Sequence, residues 1–245
     1  MILKEWLQQE PFTLALSSSF FGFFAHAGIV AALTEEGIVP AKVSGASAGA
    51  LIAAAVASGF TTEQIQELLF NVKREDFWDP RFGFGYLHGR KFSGLLEKNF
   101  ARTFETTKIP LEVAVFNVLR LRTEFIGSGD LTSAVHASCA VPLMFHPVRR
   151  EGRVLLDGGI LLKSGLNPME KRSLCVFLES PGWMGLYERR STFSRMTSTQ
   201  KILSLSNLPR VNPLILSEGK QAYEQAYLRA REALGKSIEG PILEA

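Results

Sequence analysis

Lys42-Val43-Ser44-Gly45-Ala46-Ser47-Ala48-Gly49-Ala50-Leu51-Ile52-Ala53-Ala54-Ala55-Val56-Ala57-Ser58-Gly59 is the stretch that decides the fold. Lys42–Gly45 reads as a short strand and Ala48–Ser58 as an Ala-rich helix that Gly59 closes. Between them a G-x-S-x-G pattern sets Ser47 among small residues: Gly45, Ala46, Ala48 and Gly49. A sharp strand-to-helix turn needs such residues where backbone crowds backbone, and it exposes its central serine at the end of the sheet. The helix N-terminus also favours negative charge building up beside that serine. Five letters alone would equally suit an incidental serine in a tight turn. The strand-turn-helix frame points to a nucleophile.

Outward from this unit the pattern stays α/β. Phe12–Leu16 is a strand candidate, followed by a small-residue turn and a helix from about Phe23 to Glu36, which Gly37 stops. This order predicts parallel strands joined by right-handed crossovers. Thr61 and Thr62 cap an amphipathic helix with Ile65, Leu68 and Leu69 on one face. Residues 76–89 read as a loop, and Lys91–Phe100 returns to helix. Leu111–Phe116 and Arg122–Ile126 are neighbouring strands, Gly127-Ser128-Gly129 turns the chain, and Asp130 caps a helix carrying Ser133 to Ser138. Phe145–Val148 and Val154–Leu156 flank a hairpin turn at Glu151-Gly152. Leu174–Leu178 is a buried strand, 191–212 shows little pattern, and a helix runs from about Ser217 to Leu234. The expectation is one domain over 1–245, an α/β fold in three α/β/α layers around a mostly parallel sheet.

Composition narrows the function. The 245 residues carry 27 Lys+Arg against 24 Asp+Glu, with 46% hydrophobic and 21% charged side chains. Wholesale disorder is excluded, and a net charge of +3 is too small to argue for nucleic acid. Cys139 and Cys175 make no disulfide framework and read as buried small hydrophobes. No His/Cys/Asp cluster suggests a metal, and no cofactor is expected. Residues 11–34 lack charge over a length that could cross a bilayer, but Ser17-Ser18-Ser19 and Gly22 interrupt them and Thr13–Leu16 alternates as a strand does. Glu5 and Glu10 and the missing basic n-region argue against a signal peptide, so a cytoplasmic protein is expected.

A nucleophilic serine needs a base. The four histidines are His26, His88, His136 and His146, so the late histidine of an α/β-hydrolase triad is missing. A triad could still join Ser47 to Asp130 with His136 or His146, at the cost of using a helix-capping aspartate twice. Asp157 offers another route. It ends the apolar Val154-Leu155-Leu156 and precedes Gly158-Gly159, which let other backbone come close. Burial there would favour the protonated carboxyl and make its anion a better base. An ordinary Asp-Gly turn reads equally well from these residues alone.

Taken together, these segments resemble the patatin-like phospholipases, lipid acyl hydrolases with a Ser-Asp dyad. Gly45-Ala46-Ser47-Ala48-Gly49 is similar to the family's serine motif, and Asp157-Gly158-Gly159 to its D-G-A/G motif, in the family's order. Ser138-Cys139-Ala140-Val141-Pro142 through Phe145-His146-Pro147-Val148 is similar to the A-S-x-A-x-P segment before the aspartate strand. Phe84-Gly85-Tyr86-Leu87-His88-Gly89-Arg90-Lys91 is similar to a loop-to-helix entry of bacterial members. The resemblance implies Ser47 as nucleophile, Asp157 as base, and an oxyanion hole from the N–H groups near Ser18, Ser19, Phe20 and Gly22 with that of Ala48. One departure stands out. The family's glycine-rich G-G-G-x-R/K-G run is here Ser17-Ser18-Ser19-Phe20-Phe21-Gly22, with Phe21 in place of the basic residue. Serine also carries an N–H, and glycine is needed only at positive φ or where a ligand touches backbone. Either the serines hold a working hole, or the chain is a non-catalytic acyl- or lipid-binding member whose loop has changed.

Three smaller expectations complete the reading. Trp78, Phe82, Phe84, Tyr86 and Phe92 read as a packed loop, or else as lining for an acyl groove. Trp183-Met184-Gly185-Leu186-Tyr187 with Arg189-Arg190 reads as solvated loop, or else as a transient contact with a membrane surface. His26 reads as a core histidine.

Overall fold

The computed structural model describes residues 1–180, 188, 190, 192–194 and 197–245. In chain order the strands are β1 (Thr13–Leu16), β2 (Lys42–Ala46), β3 (Gly85–Leu87), β4 (Leu111–Asn117), β5 (Arg122–Ile126), β6 (Leu143–Phe145), β7 (Val148–Arg150), β8 (Arg153–Asp157), β9 (Ser173–Leu178), β10 (Gln200–Leu205) and β11 (Ile242–Glu244). The helices are α1 (Leu3–Gln9), α2 (Phe23–Glu35), α3 (Ala48–Ala57), α4 (Thr62–Asn71), α5 (Arg74–Phe77), α6 (Arg90–Asn99), α7 (Leu131–Ser138) and α8 (Glu218–Leu234). The main sheet runs β11-β10-β9-β1-β2-β4-β8-β7, with β5 on β4. From β11 to β4 every pairing is parallel; β5, β8 and β7 are antiparallel additions. This is the mostly parallel central sheet that the β-α-β order implied.

Leu14, Leu16, Val176 and Leu203 face a thick helical layer in which α2, α3, α7 and α8 pack together. α2 is apolar nearly all round because α8, α3 and α4 all pack against it. Small residues on α8 (Ala222, Ala226, Ala230 and Ala233) are buried and let the helices close up. The opposite face carries Ala15, Cys175, Phe177 and Ile202, covered by Leu166 and by Phe193 in a helical turn. No helix among the described residues is long and apolar enough to cross a membrane.

Local signals act as their chemistry requires. Thr61 and Gln64 form the capping box of α4. Asp130 caps α7 through the Ser133 N–H at 2.7 Å. Glu151 (φ 50°) and Gly152 (φ 73°) make the tight turn between β7 and β8. Two expectations need correction. The patternless 191–212 contains β10, deep in the sheet. The aromatic loop is not packed as a whole: Phe92 and Trp78 sit against the core, whereas Phe82, Phe84 and Tyr86 project outward. The stretch Trp183–Tyr187 with Arg189 lies outside the described residues.

Candidate active site

β2 and β8 end beside one another because both pair with β4. β2 runs along Leu111–Ala114, with Ala46 opposite Ala114. β8 takes the other half of β4, with Asp157 opposite Val115. Ser47, one residue beyond β2, and Asp157, the last residue of β8, are thus brought to adjoining positions. Both are buried, at 7% and 5% exposure, with only an edge of each reachable.

Ser47 adopts φ 52°, ψ −123°, a conformation that costs a non-glycine residue about 1–3 kcal/mol. The strain is held by what surrounds it. A Cβ on Gly49 would lie 2.1 Å from the Leu16 carbonyl oxygen, so the elbow closes against β1 only with glycine there; Gly45 is equally tight against Gly49 itself. The Ser47 N–H donates to Ser138 Oγ at 2.8 Å, and that hydroxyl donates onward to the Ala114 carbonyl at 2.7 Å. The Gly158 N–H donates to the Ser138 carbonyl at 3.1 Å, so one residue at the end of α7 ties both motifs to β4.

Burial raises the Asp157 carboxyl from the ordinary 3.8 to about 6, against the pull of nearby Ser47, the Gly159 N–H and Ser18. Asp157 Oδ1 accepts from Gly159 at 2.7 Å, while Oδ2 is buried with no hydrogen-bond partner among the described residues. Gly158 must be glycine for the turn, since its Cβ would fall 2.0 Å from the Ala114 carbonyl oxygen.

The loop after β1 departs from expectation in detail. The Ser18 N–H donates to the Lys163 carbonyl at 2.7 Å and the Gly22 N–H to the Ser19 carbonyl at 3.2 Å, so neither amide is open to an oxyanion. Ser18 faces Asp157 and Gly159 with its hydroxyl instead. The N–H groups of Ser19 and Phe20 have no hydrogen-bond partner among the described residues, and Ala48 carries one of the free donors of the first turn of α3. Ser19, Phe20, Ser47 and Ala48 all border one apolar cavity of about 110 Å³, walled further by Leu51, Leu68, Leu96, Phe100, Val141 and Met144. Phe21, where the family has a basic residue, sits at φ 55° and packs its ring on Phe20, Phe23 and Phe77.

The histidines are placed elsewhere. His26 Nε2 donates to the Ser17 carbonyl at 2.8 Å, and burial lowers the ring to about 4, so it is a neutral core histidine. His136 lies against Phe92 and Phe145, and His146 hydrogen-bonds the Arg81 carbonyl. Neither is hydrogen-bonded to Ser47 or Asp130, and the His-based triad is not assembled. Cys175 is buried, whereas Cys139 borders the cavity and donates its Sγ to the Ser47 carbonyl at 3.3 Å. No group of metal-ligating side chains occurs among the described residues. Sequence reasoning missed the brace at Ser138 and the roles of Ser18 and Lys163. Ser138 and Ser18 each lay in a segment matched to the family, although Ser18 was expected to offer its N–H rather than its hydroxyl; Lys163 had no signal.

The family model for patatin-like phospholipase matches residues 14–169. The chain belongs to this family. An uncharacterized NTE family protein of Mycobacterium tuberculosis is 29% identical over 152 residues, 60% of this chain and 42% of that protein. Lysophospholipase nte1 of Neurospora crassa is 31% identical over 147 residues, 56% of this chain and 10% of that one. The chain therefore spans less than half the length of these relatives. Among solved structures, VipD from Legionella pneumophila has the same fold, with a TM-score of 0.63 at 15% identity over 92% of this chain and 67% of VipD.

Proposed function

We propose that the protein is a serine acyl hydrolase that cleaves lipid or other carboxylic esters through an acyl-enzyme, with Ser47 and Asp157 as its dyad. The observation that carries this reading is the strained Ser47 held beside a buried carboxyl whose pKa lies near 6, poised between acid and base. Asp157 takes the Ser47 proton as Oγ attacks the ester carbonyl. The oxyanion is held by the Ala48 N–H with those of Ser19 and Phe20. The alcohol leaves with the proton from Asp157; water, deprotonated by the same carboxyl, then releases the acid and restores Ser47. The apolar cavity suits an acyl chain. The lysophospholipase among the relatives supports a lipid ester as substrate.

A second reading, a lipid-binding member without turnover, is favoured by the two loop amides already engaged at Ser18 and Gly22. A fluorophosphonate probe separates the two. Labelling that vanishes in Ser47→Ala, with turnover of a short-chain nitrophenyl ester, is expected. A folded protein that neither labels nor turns over the ester overturns the hydrolase and favours the binding reading.

A further inference from the structure

The segment 81–87 alternates in an unusual sense. Phe82, Phe84 and Tyr86 point out, at 105%, 86% and 57% exposure, with glycines at 83 and 85 between them and Leu87 buried. Both glycines answer close neighbours: a Cβ on Gly83 would meet the His146 ring at 2.1 Å, and one on Gly85, in β3, would meet the Phe145 carbonyl carbon of β6 at 2.3 Å. Leu143, paired with Gly85, adds a fourth apolar side chain at 84% exposure, displayed from a φ of 66° that an aliphatic residue rarely adopts. By the size of these side chains the patch is on the order of 500 Å², large enough to mark an interaction surface. At these exposures Phe82, Phe84 and Leu143 add little to the core, while Tyr86 packs edge-on against Trp78.

We propose that this patch is the surface by which the protein docks onto a lipid bilayer containing anionic lipid. Two observations choose that occupant. β6 is shared: Leu143 belongs to the patch, and the next residues, Met144 and Phe145, wall the acyl cavity, so the surface that meets the membrane adjoins the path a lipid chain takes to Ser47. Cations border the patch. Arg81 and Arg90 are exposed without an ion-pair partner among the described residues, while the Asp79 carboxylate accepts from the Gly89 and Lys91 amides. Aromatic side chains entering the headgroup region beside arginines that meet phosphates is the chemistry of interfacial binding. The argument from the cavity rests on the proposed hydrolase function; that from exposure and charge does not.

The test uses full-length Ser47→Ala, which cannot turn over substrate, sedimented with vesicles of phosphatidylcholine alone or with 30% phosphatidylglycerol (about the anionic share that makes a surface strongly attractive to basic groups). Binding to the mixed vesicles is expected, reduced at least tenfold by Phe82→Ser with Phe84→Ser. Arg81→Gln with Arg90→Gln is expected to weaken binding to the mixed vesicles only. Phe84→Trp should shift its emission to the blue on adding mixed vesicles. Unchanged vesicle binding in the double serine variant overturns the proposal, as does a wild-type dimer that this variant turns monomeric without any vesicle binding. Hydrolysis of a soluble ester in the otherwise wild-type protein, read separately, tests the Ser47 chemistry; docking without hydrolysis leaves the surface standing and removes the enzyme.

Discussion

The Asp157 carboxyl bears on stability as well as on the proposed chemistry, through one titration. Its folded pKa is raised, from 3.8 to about 6, so the native state holds the proton more tightly than the unfolded chain. Stability from this group is therefore full below about pH 4 and is lost as pH rises to about 6, by about 3 kcal/mol for a shift of this size. Asp157→Asn should abolish ester turnover and remove that loss, so that the variant exceeds the native protein in urea midpoint at pH 8 and not at pH 4. In the unaltered protein, kcat/KM should climb with pH to a plateau above about 6. A profile flat from pH 4 to 8 would show that another group takes the proton. Ser138 acts through others, holding the Ser47 amide and the Ala114 carbonyl. Ser138→Ala leaves both buried groups unpaired, at about 1–3 kcal/mol, and should slow fluorophosphonate labelling more than it shifts ester KM.

At the scale of elements, the elbow between β2 and α3 depends on contact with β1. Gly49→Ala puts a methyl into the Leu16 carbonyl, so α3 must lift from the sheet. The expected cost is about 1–3 kcal/mol in urea unfolding, with loss of labelling at Ser47; a variant that labels at the native rate would show the elbow to be looser than the geometry states. This element was legible because strand, turn and helix each carry their own signal in Lys42–Gly59. β10 was not. Gln200–Leu205 is buried on both faces, so it has no period-two alternation, and polar residues dilute its apolar run. β3, β6 and β11 are three residues each, too short for any period. The loop Ser17–Gly22 was legible as a departure from the family but not in its amide directions. Those follow from φ and ψ and from the Lys163 carbonyl, far along the chain.

Over the whole molecule, the pairing of Ser47 with Asp157 was legible only through the resemblance to the family, since the residues alone read equally as an Asp-Gly turn and β8 runs antiparallel to β4, outside the rule that collects parallel strand ends on one edge. What could not be read was how the convergence is built, because it depends on β4 accepting two partners along one side. Ala114 faces β2 and Val115 faces β8. They are consecutive residues, about 3.8 Å apart across one trans peptide bond. Ser47 follows the residue opposite Ala114 and Asp157 lies opposite Val115, so one buried strand, rather than the outer helices, sets where hydroxyl and carboxyl stand. Warming that frays α5 or α6 should alter which molecules get in long before it alters what happens to them once inside.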